Sequence, residues 1–202
     1  MINIENINKS ELPYNIFERL YKKALNSKQQ NLEAACISSF NNFNNEVESR
    51  FVNIKYIINT DWIFFSNYNS QKAKDFHQLD QISSIFFWNQ INTQIRIKAK
   101  IKKTSKKFSD MHFFSRNLKK NALAVSSYQS KTIDSYDIVV ENYKKTLESN
   151  ELLNLRPEYW GGYAFTPYYF EFWEGHDSRL NKREVFKKID SDSCWEHFFL
   201  QP

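Results

Sequence analysis

The residue types best suited to chemistry gather between Arg156 and Arg183, in the string RPEYWGGYAFTPYYFEFWEGHDSRLNKR. Trp160, Tyr163, Phe172 and Trp173 offer flat apolar surface, and Arg179 and Arg183 follow with fixed positive charge. A planar wall beside guanidinium groups suits an aromatic anion, because stacking holds the ring and charge-assisted hydrogen bonds hold the acid. All three glycines of the chain, Gly161, Gly162 and Gly175, lie in this window. Glycine is selected where φ must be positive or where another group must approach the backbone closely. A chain so poor in glycine that places all of it here is shaping a site. Singly, each tryptophan reads as core filling and each arginine as a solvated charge; order and spacing carry the functional reading.

The order Trp160-Gly161-Gly162-Tyr163, Glu171-Phe172-Trp173, Arg179-Leu180 and Arg183 resembles the C-terminal signature of the pyridoxamine 5′-phosphate oxidase family. These are FMN-dependent flavoproteins with a split-barrel fold, and phenazine-biosynthesis flavin oxidases are a sister group with a similar signature. FMN poses three demands: donors and cations for its phosphate, aromatic cover for its ring, and a positive or donor neighbour for the N1–C2=O edge. Arg50-Phe51-Val52-Asn53-Ile54-Lys55 resembles the family's first FMN-binding strand, with Arg50 on the phosphate and Lys55 where flavin and substrate meet. Phe65-Ser66 and Gln71-Lys72 resemble the next element, in which Ser66 and Lys72 donate to the phosphate beside a helix N-terminus. Gln94 resembles a glutamine facing the flavin ring or ribityl chain. Gln129-Ser130 matches a motif that the resemblance assigns to FMN of the partner chain in a homodimer, and Trp173 and Arg183 match the remaining flavin contacts.

Substrate positions match less closely. The resemblance assigns the substrate phosphate to Lys55, His112, Arg116 and Lys120, where the family has Tyr and Ser in place of His112 and Lys120. It assigns Arg179 and Asn181 to catalysis over the substrate ring, Asn181 replacing a histidine that would titrate near neutrality. Gln71 and Ala164 replace usual arginines, and no Arg-x-x-Tyr segment precedes Leu12. The implied activity is FMN-dependent oxidation of pyridoxamine or pyridoxine 5′-phosphate to pyridoxal 5′-phosphate, with O2 as acceptor and release of H2O2. The alternatives are the same chemistry on another aromatic, such as a dihydrophenazine carboxylate, or a non-catalytic flavin- or pyridoxal-phosphate-binding protein.

Strands and short helices must position these groups. Leu12 to Ser27 reads as an amphipathic helix with Ile16, Phe17, Leu20, Tyr21, Ala24 and Leu25 on one stripe. Strands are expected at Leu32 to Phe40, Arg50 to Ile58, Trp62 to Ser66, Ile82 to Trp88, Gln94 to Ile101 and Tyr163 to Trp173. A terminal hairpin is expected from Val185 to Ile189 and Cys194 to Leu200, turning at Asp190 to Ser193. Ser70 and Ser105 sit where helices begin, the latter running through Phe114; Arg116 to Gln129 reads as a partly helical connector and Ser135 to Asn150 as a helix. The pattern implies a mainly β class with peripheral α: an antiparallel, Greek-key-like, closed small barrel. A single domain spans 1–202, with a flexible N-terminus at 1–11 and a dimerisation and substrate segment at 156–202.

The whole chain sets looser bounds. At 202 residues it can bury a substantial core. A net charge of +5 suits phosphorylated ligands. The basic stripe Arg96, Lys98, Lys100, Lys102 reads as the wet face of a strand rather than a nucleic-acid surface. Cys36 and Cys194 read as packed thiols, and the four histidines lack metal-ligand spacing, so no metal is expected. With no signal peptide and no apolar run of membrane length, the expected setting is cytoplasmic, without membrane or nucleic-acid partners.

Overall fold

The computed structural model describes residues 1–7, 11–149, 153–189 and 194–202. Among them the strands are β1 (Asn3–Glu5), β2 (Ala34–Asn41), β3 (Glu46–Asn53), β4 (Tyr56–Ile58), β5 (Asp61–Asn67), β6 (Gln81–Trp88), β7 (Thr93–Lys103), β8 (Trp160–Glu174), β9 (Lys182–Lys187) and β10 (Glu196–Leu200). The helices are α1 (Leu12–Asn26), α2 (Gln71–Gln78), α3 (Lys106–Ser115), α4 (Leu118–Ser126) and α5 (Tyr136–Leu147). No helix among the described residues is long and apolar enough to cross a membrane.

All the strands join one sheet in the order β1-β4-β5-β8-β7-β6-β2-β3, with β9 and β10 added beside β8. Pairing is antiparallel except for β1 on β4, so the sheet is mixed. Among the described residues no ladder joins its two ends, so the expected closed, all-antiparallel barrel is not what forms. Instead those ends are joined along the chain. The run from Arg50 to Ile58, expected as one strand, breaks into β3 and β4 around Ile54 and Lys55. The Ile54 amide donates to Glu33 O at 2.8 Å and the Lys55 amide to Ile63 O at 2.7 Å, so the chain leaves one end of the sheet and enters the other within two residues.

Periodicity decides the rest. In β7, Ile95, Ile97, Ala99 and Ile101 face inward and are buried, as their alternation requires. The charges between them pair on the outside: Arg96 with Glu171 at 2.7 Å, Lys100 with Asp80 at 2.6 Å, and Lys98 over the Tyr169 ring at 4.9 Å. The helix α1 begins with Pro13 in its first turn, where no amide donor is required, and presents Tyr14, Phe17 and Leu20 to the sheet. Phe17 meets Trp62 at 4.4 Å between ring centroids and lies within 6 Å of Phe86 and Trp88.

Other expectations need correction. Within the segment expected to be flexible, residues 1–7 are not free: β1 pairs with β4, Ile2 and Ile7 are buried, and the Ile2 amide donates to the Tyr21 hydroxyl at 2.9 Å. Alternating Ile with Asn and Glu is a strand pattern too short to stand out. Cys194 is exposed and Cys36 part-buried, so only Cys36 packs as a thiol in the way expected. The hairpin of β9 and β10 forms, while its turn at Asp190 to Ser193 and the Asn150 end of the α5 region lie outside the described residues.

Phe17 is the keystone between helix and sheet. Phe17→Ala should destabilise the fold by about 3–5 kcal/mol, read as a lower urea midpoint at unchanged m-value; a loss under about 1 kcal/mol would show that α1 is not packed as described.

Candidate functional site

A cavity of about 640 Å³ opens between β3, the end of β5, the start of α2, the end of α3 and the starts of α4 and β8. Its lining includes Arg50, Phe51, Val52, Asn53, Lys55, Phe65, Ser66, Gln71, Lys72, His112, Arg116, Lys120, Gln129, Ser130 and Trp160. Nearly every residue expected between Arg50 and Ser130 therefore converges on one space. Ile54 is the exception in its stretch: its side chain is fully buried in the core, because the crossing from β3 to β4 turns it inward.

One end of the cavity is built by β3 and α2. Arg50 donates to Ser39 Oγ at 2.6 Å, Ser39 donates to Asp75 Oδ2 at 2.7 Å, and Gln71 donates to Asp75 Oδ1 at 3.0 Å. Arg50 also lies 3.8 Å from Asp75. Asp75 is 1% exposed, so it fixes Arg50 and Gln71 from behind. Among the described residues, the buried Lys72 amine finds a hydrogen-bond partner only in Ser70 Oγ, at 3.4 Å. Burial, then the nearby Arg50 charge, push its pKa down to about 8. Ser70 precedes α2 as expected, but its hydroxyl donates back to Asn67 O at 2.7 Å instead of capping the helix. Gln129 closes this end by accepting from Ser66 Oγ and from the Asn67 amide, each at 3.3 Å. Gln129 and Ser130 thus line the cavity of their own chain.

At the other end stand Lys55, Arg116, Lys120 and His112. Arg116 lies over the Trp160 ring at 4.3 Å, donates to Lys120 O at 2.7 Å, and among the described residues leaves Nη1 buried without a hydrogen-bond acceptor. Burial holds its pKa down at about 10. Burial likewise lowers Lys55, helped by Lys120 and Arg116 and opposed by Glu33, whose carboxylate is 3.9 Å away. His112 is pushed down to about 4 by burial and by the three cations, so it is neutral at ordinary pH. Its ring stacks on Phe65 at 3.6 Å, and Trp160 lies nearly parallel to both. The result is an aromatic wall between two cationic ends.

The glycines explain how the wall is seated. None has positive φ. A Cβ on Gly161 would overlap the Tyr68 hydroxyl and come within 2.9 Å of Ser109 Oγ, and one on Gly162 would overlap Thr104. Ser109 Oγ instead accepts from the Gly162 amide at 3.1 Å, which presses α3 against β8. Arg156 fastens the same joint by pairing with Asp110 at 2.6 Å and donating to the Trp160 carbonyl.

A second group lies elsewhere. Gln94, Trp173 and Arg183 share one cross-strand row with the 58% exposed Phe87 on the outer face of the sheet. Trp173 is roughly 40 Å along β8 from Trp160, at ~3.3 Å per residue. Arg183 is held by Glu171 at 2.8 Å and by Gln201 O at 3.1 Å. Arg179 is exposed with φ of 62°, and Asn181 accepts from the His176 amide at 3.0 Å, holding the turn. Within one chain, neither of these expected catalytic residues reaches the cavity. Sequence reading missed Asp75 and Tyr56; the spacing of four between Gln71 and Asp75 on one helix face was the available signal for the first.

Residues 160–202 match the pyridoxine 5′-phosphate oxidase C-terminal dimerisation region. A pyridoxine/pyridoxamine 5′-phosphate oxidase of Leptospira interrogans is 30% identical over 192 residues, covering 94% of this chain and 88% of its own. One from Burkholderia cenocepacia is 33% identical over 191 residues, covering 94% and 89%. Among solved structures, PhzG from Burkholderia lata in complex with tetrahydrophenazine-1-carboxylic acid superposes with a TM-score of 0.85 at 21% identity, over 94% of this chain and 92% of that one. A pyridoxamine 5′-phosphate oxidase-related, FMN binding protein from Nostoc punctiforme gives 0.75 at 10% identity, over 92% and 97%. At 30–33% identity to these oxidases over 94% of its length, the chain belongs to the pyridoxine/pyridoxamine 5′-phosphate oxidase family.

Proposed function

We propose that the chain is an FMN-dependent oxidase of split-barrel type, working as a homodimer on pyridoxamine or pyridoxine 5′-phosphate. The observation that carries this is one cavity with two separate cationic ends flanking an aromatic wall. One phosphorylated aromatic would occupy one end; two ends suit a phosphorylated cofactor and a phosphorylated substrate side by side.

The residues present fit FMN. Arg50, Lys72, Ser66, Gln129 and Ser130 supply charge and donors for a phosphate, and among the described residues no carboxylate lies within ion-pairing distance of the depressed Lys72. When bound, FMN would take a hydride from substrate C4′ and return the electrons to O2 as H2O2. The chain's own part is positioning. Lys55, Arg116 and Lys120 hold the substrate phosphate, and the free Arg116 Nη1 supplies a donor already aimed and desolvated. Three cations favour a phosphate dianion over a carboxylate, which carries half the charge and fewer acceptor oxygens.

The remaining contacts come from a second copy. Gln94, Trp173 and Arg183 sit on a face that also shows Phe87 and the 75% exposed Phe51, an apolar surface suited to burial against another chain. The dimerisation region matched by the C-terminus contains Trp173, Arg179, Asn181 and Arg183. A partner would thus bring these to the neighbouring cavity, Arg179 over the substrate ring.

Three outcomes follow. Purified protein should bind FMN, and anaerobic pyridoxamine 5′-phosphate should bleach the flavin absorbance; binding without bleaching would redirect the reading to another aromatic such as a dihydrophenazine carboxylate. FMN affinity, measured by fluorescence quenching, should fall as pH rises through about 8, because free Lys72 loses its proton there and binding must restore it. Lys72→Met should weaken binding and flatten that profile; an unchanged profile would remove Lys72 from the phosphate. Finally, Arg50→Ala and Trp173→Ala chains should each bind FMN poorly, while heterodimers made by mixing them recover intact sites. No recovery would place both residues in one chain's site.

A further inference from the structure

Beside the cationic end, Tyr56 opens β4 directly after Lys55, and its hydroxyl lies 2.9 Å from His112 Nδ1. The phenol is held in place: its ring meets His112 edge-on at 5.4 Å and Phe108 at 5.3 Å. His112 is itself fixed by its stack on Phe65. A neutral imidazole carries one N–H and one lone pair, and the partner of one nitrogen decides which role the other plays. The cations Arg116, Lys55 and Lys120 face the ring and oppose its protonation. The phenol is the more acidic donor and the bare ring nitrogen the stronger acceptor, so the Tyr56 proton goes to Nδ1, while the nearby Ser115 hydroxyl donates its own to the His112 carbonyl at 2.8 Å.

We propose that Tyr56 is a positioning residue for substrate recognition: by donating to His112 Nδ1 it fixes the Nε2–H tautomer, so that His112 donates from Nε2 to the phosphate of an aromatic phosphomonoester held among Lys55, Arg116 and Lys120. This rests on the phosphorylated-substrate reading of the cavity and adds to it a residue and a protonation state. The neutral donor has a physical advantage over a further cation. It satisfies another phosphate oxygen without adding to the repulsion among three positive groups, two of which, Lys55 and Arg116, are already partly removed from water. It also stays stacked on Phe65 whether or not the anion is present, so little ordering is left for the moment of binding.

Two measurements test it. Long-range 1H–15N correlation spectra of histidine-labelled protein, with His112 assigned by its loss in His112→Gln, should show the Nε2–H tautomer, unchanged between about pH 6 and 8, where an unperturbed histidine would titrate. The Nδ1–H tautomer, or a titration in that range, overturns the proposal. Second, affinities for pyridoxamine 5′-phosphate and for pyridoxamine are compared in the FMN-loaded protein. Tyr56→Phe should weaken the ester about fivefold, the equivalent of one hydrogen bond of ~1 kcal/mol, and leave pyridoxamine and FMN unchanged. In the His112→Gln background, whose amide nitrogen has no tautomer to choose, Tyr56→Phe should have no further effect on the ester. Equal loss for ester and alcohol, or no binding of the ester at all, overturns it. If the tautomer and the ester selectivity hold while substrate fails to bleach the flavin, the oxidase reading falls and this one stands.

Discussion

The constraint on which the site depends is the burial of several cations around one cavity with few carboxylates to answer them. Arg50 shares the buried Asp75 at 3.8 Å, Lys55 reaches Glu33 only at 3.9 Å, and among the described residues one Arg116 nitrogen has no acceptor. Removing charge from water opposes folding unless it is paired, and the lowered pKa values of Lys72, Arg116 and Lys55 are that opposition in another form. The stability that outweighs it must come from elsewhere. It comes from the aromatic interior, where Trp62, Phe64, Phe86, Phe165 and Phe170 are fully buried, and from anchors such as Phe76 under α2 and Phe113 under α3. An anion in the cavity relieves the opposition, so binding and stability are linked.

The crossing from β3 to β4 turns this constraint into geometry. Because Ile54 is drawn into the core and Lys55 follows at the joint, the lysine has little freedom to move toward solvent and escape its neighbours. Its amide is tied to Ile63 O, and its carbonyl accepts from the Asn3 amide at 2.9 Å. The N-terminal strand therefore braces a residue of the cavity's second cationic end, a role that a loose terminus would not perform. Asp75 does the same for Arg50 and Gln71 through side-chain bonds.

What the sequence made legible follows from the range of each interaction. The faces of β7 and α1 are written in local periodicity, and the structure keeps them apart from Leu25, which lies 40% exposed at the end of α1. Arg50, Lys55, Ser66, Lys72, His112 and Arg116 were legible through order and spacing and do converge. The break at Ile54 was not, because RFVNIKYII satisfies a strand pattern throughout and only the tertiary partners Glu33 and Ile63 divide it. Tyr56 was hidden for a similar reason: it matters through contact with a histidine far along the chain, and nothing local marks that pairing. The glycines were read correctly as signs of close approach, but what approaches is Tyr68 and Thr104 rather than a ligand.

The long strand β8 gives the arrangement its last logic. Its first residues carry Trp160 into the cavity, and its last carry Trp173 to the opposite end of the outer face. Glu171, 1% exposed, is clamped by Arg96, Arg183 and the Tyr169 hydroxyl at 2.7–2.9 Å. A buried carboxylate with this many donors fixes the Arg183 guanidinium more firmly than any fold requirement of a surface strand demands. Such rigidity has a use if the guanidinium must meet something docked from outside, since a flexible arginine would lose side-chain entropy on contact. Two rigid half-sites on one strand, too far apart to serve a single small ligand, are what a chain needs if each cavity is to be completed by another copy of itself.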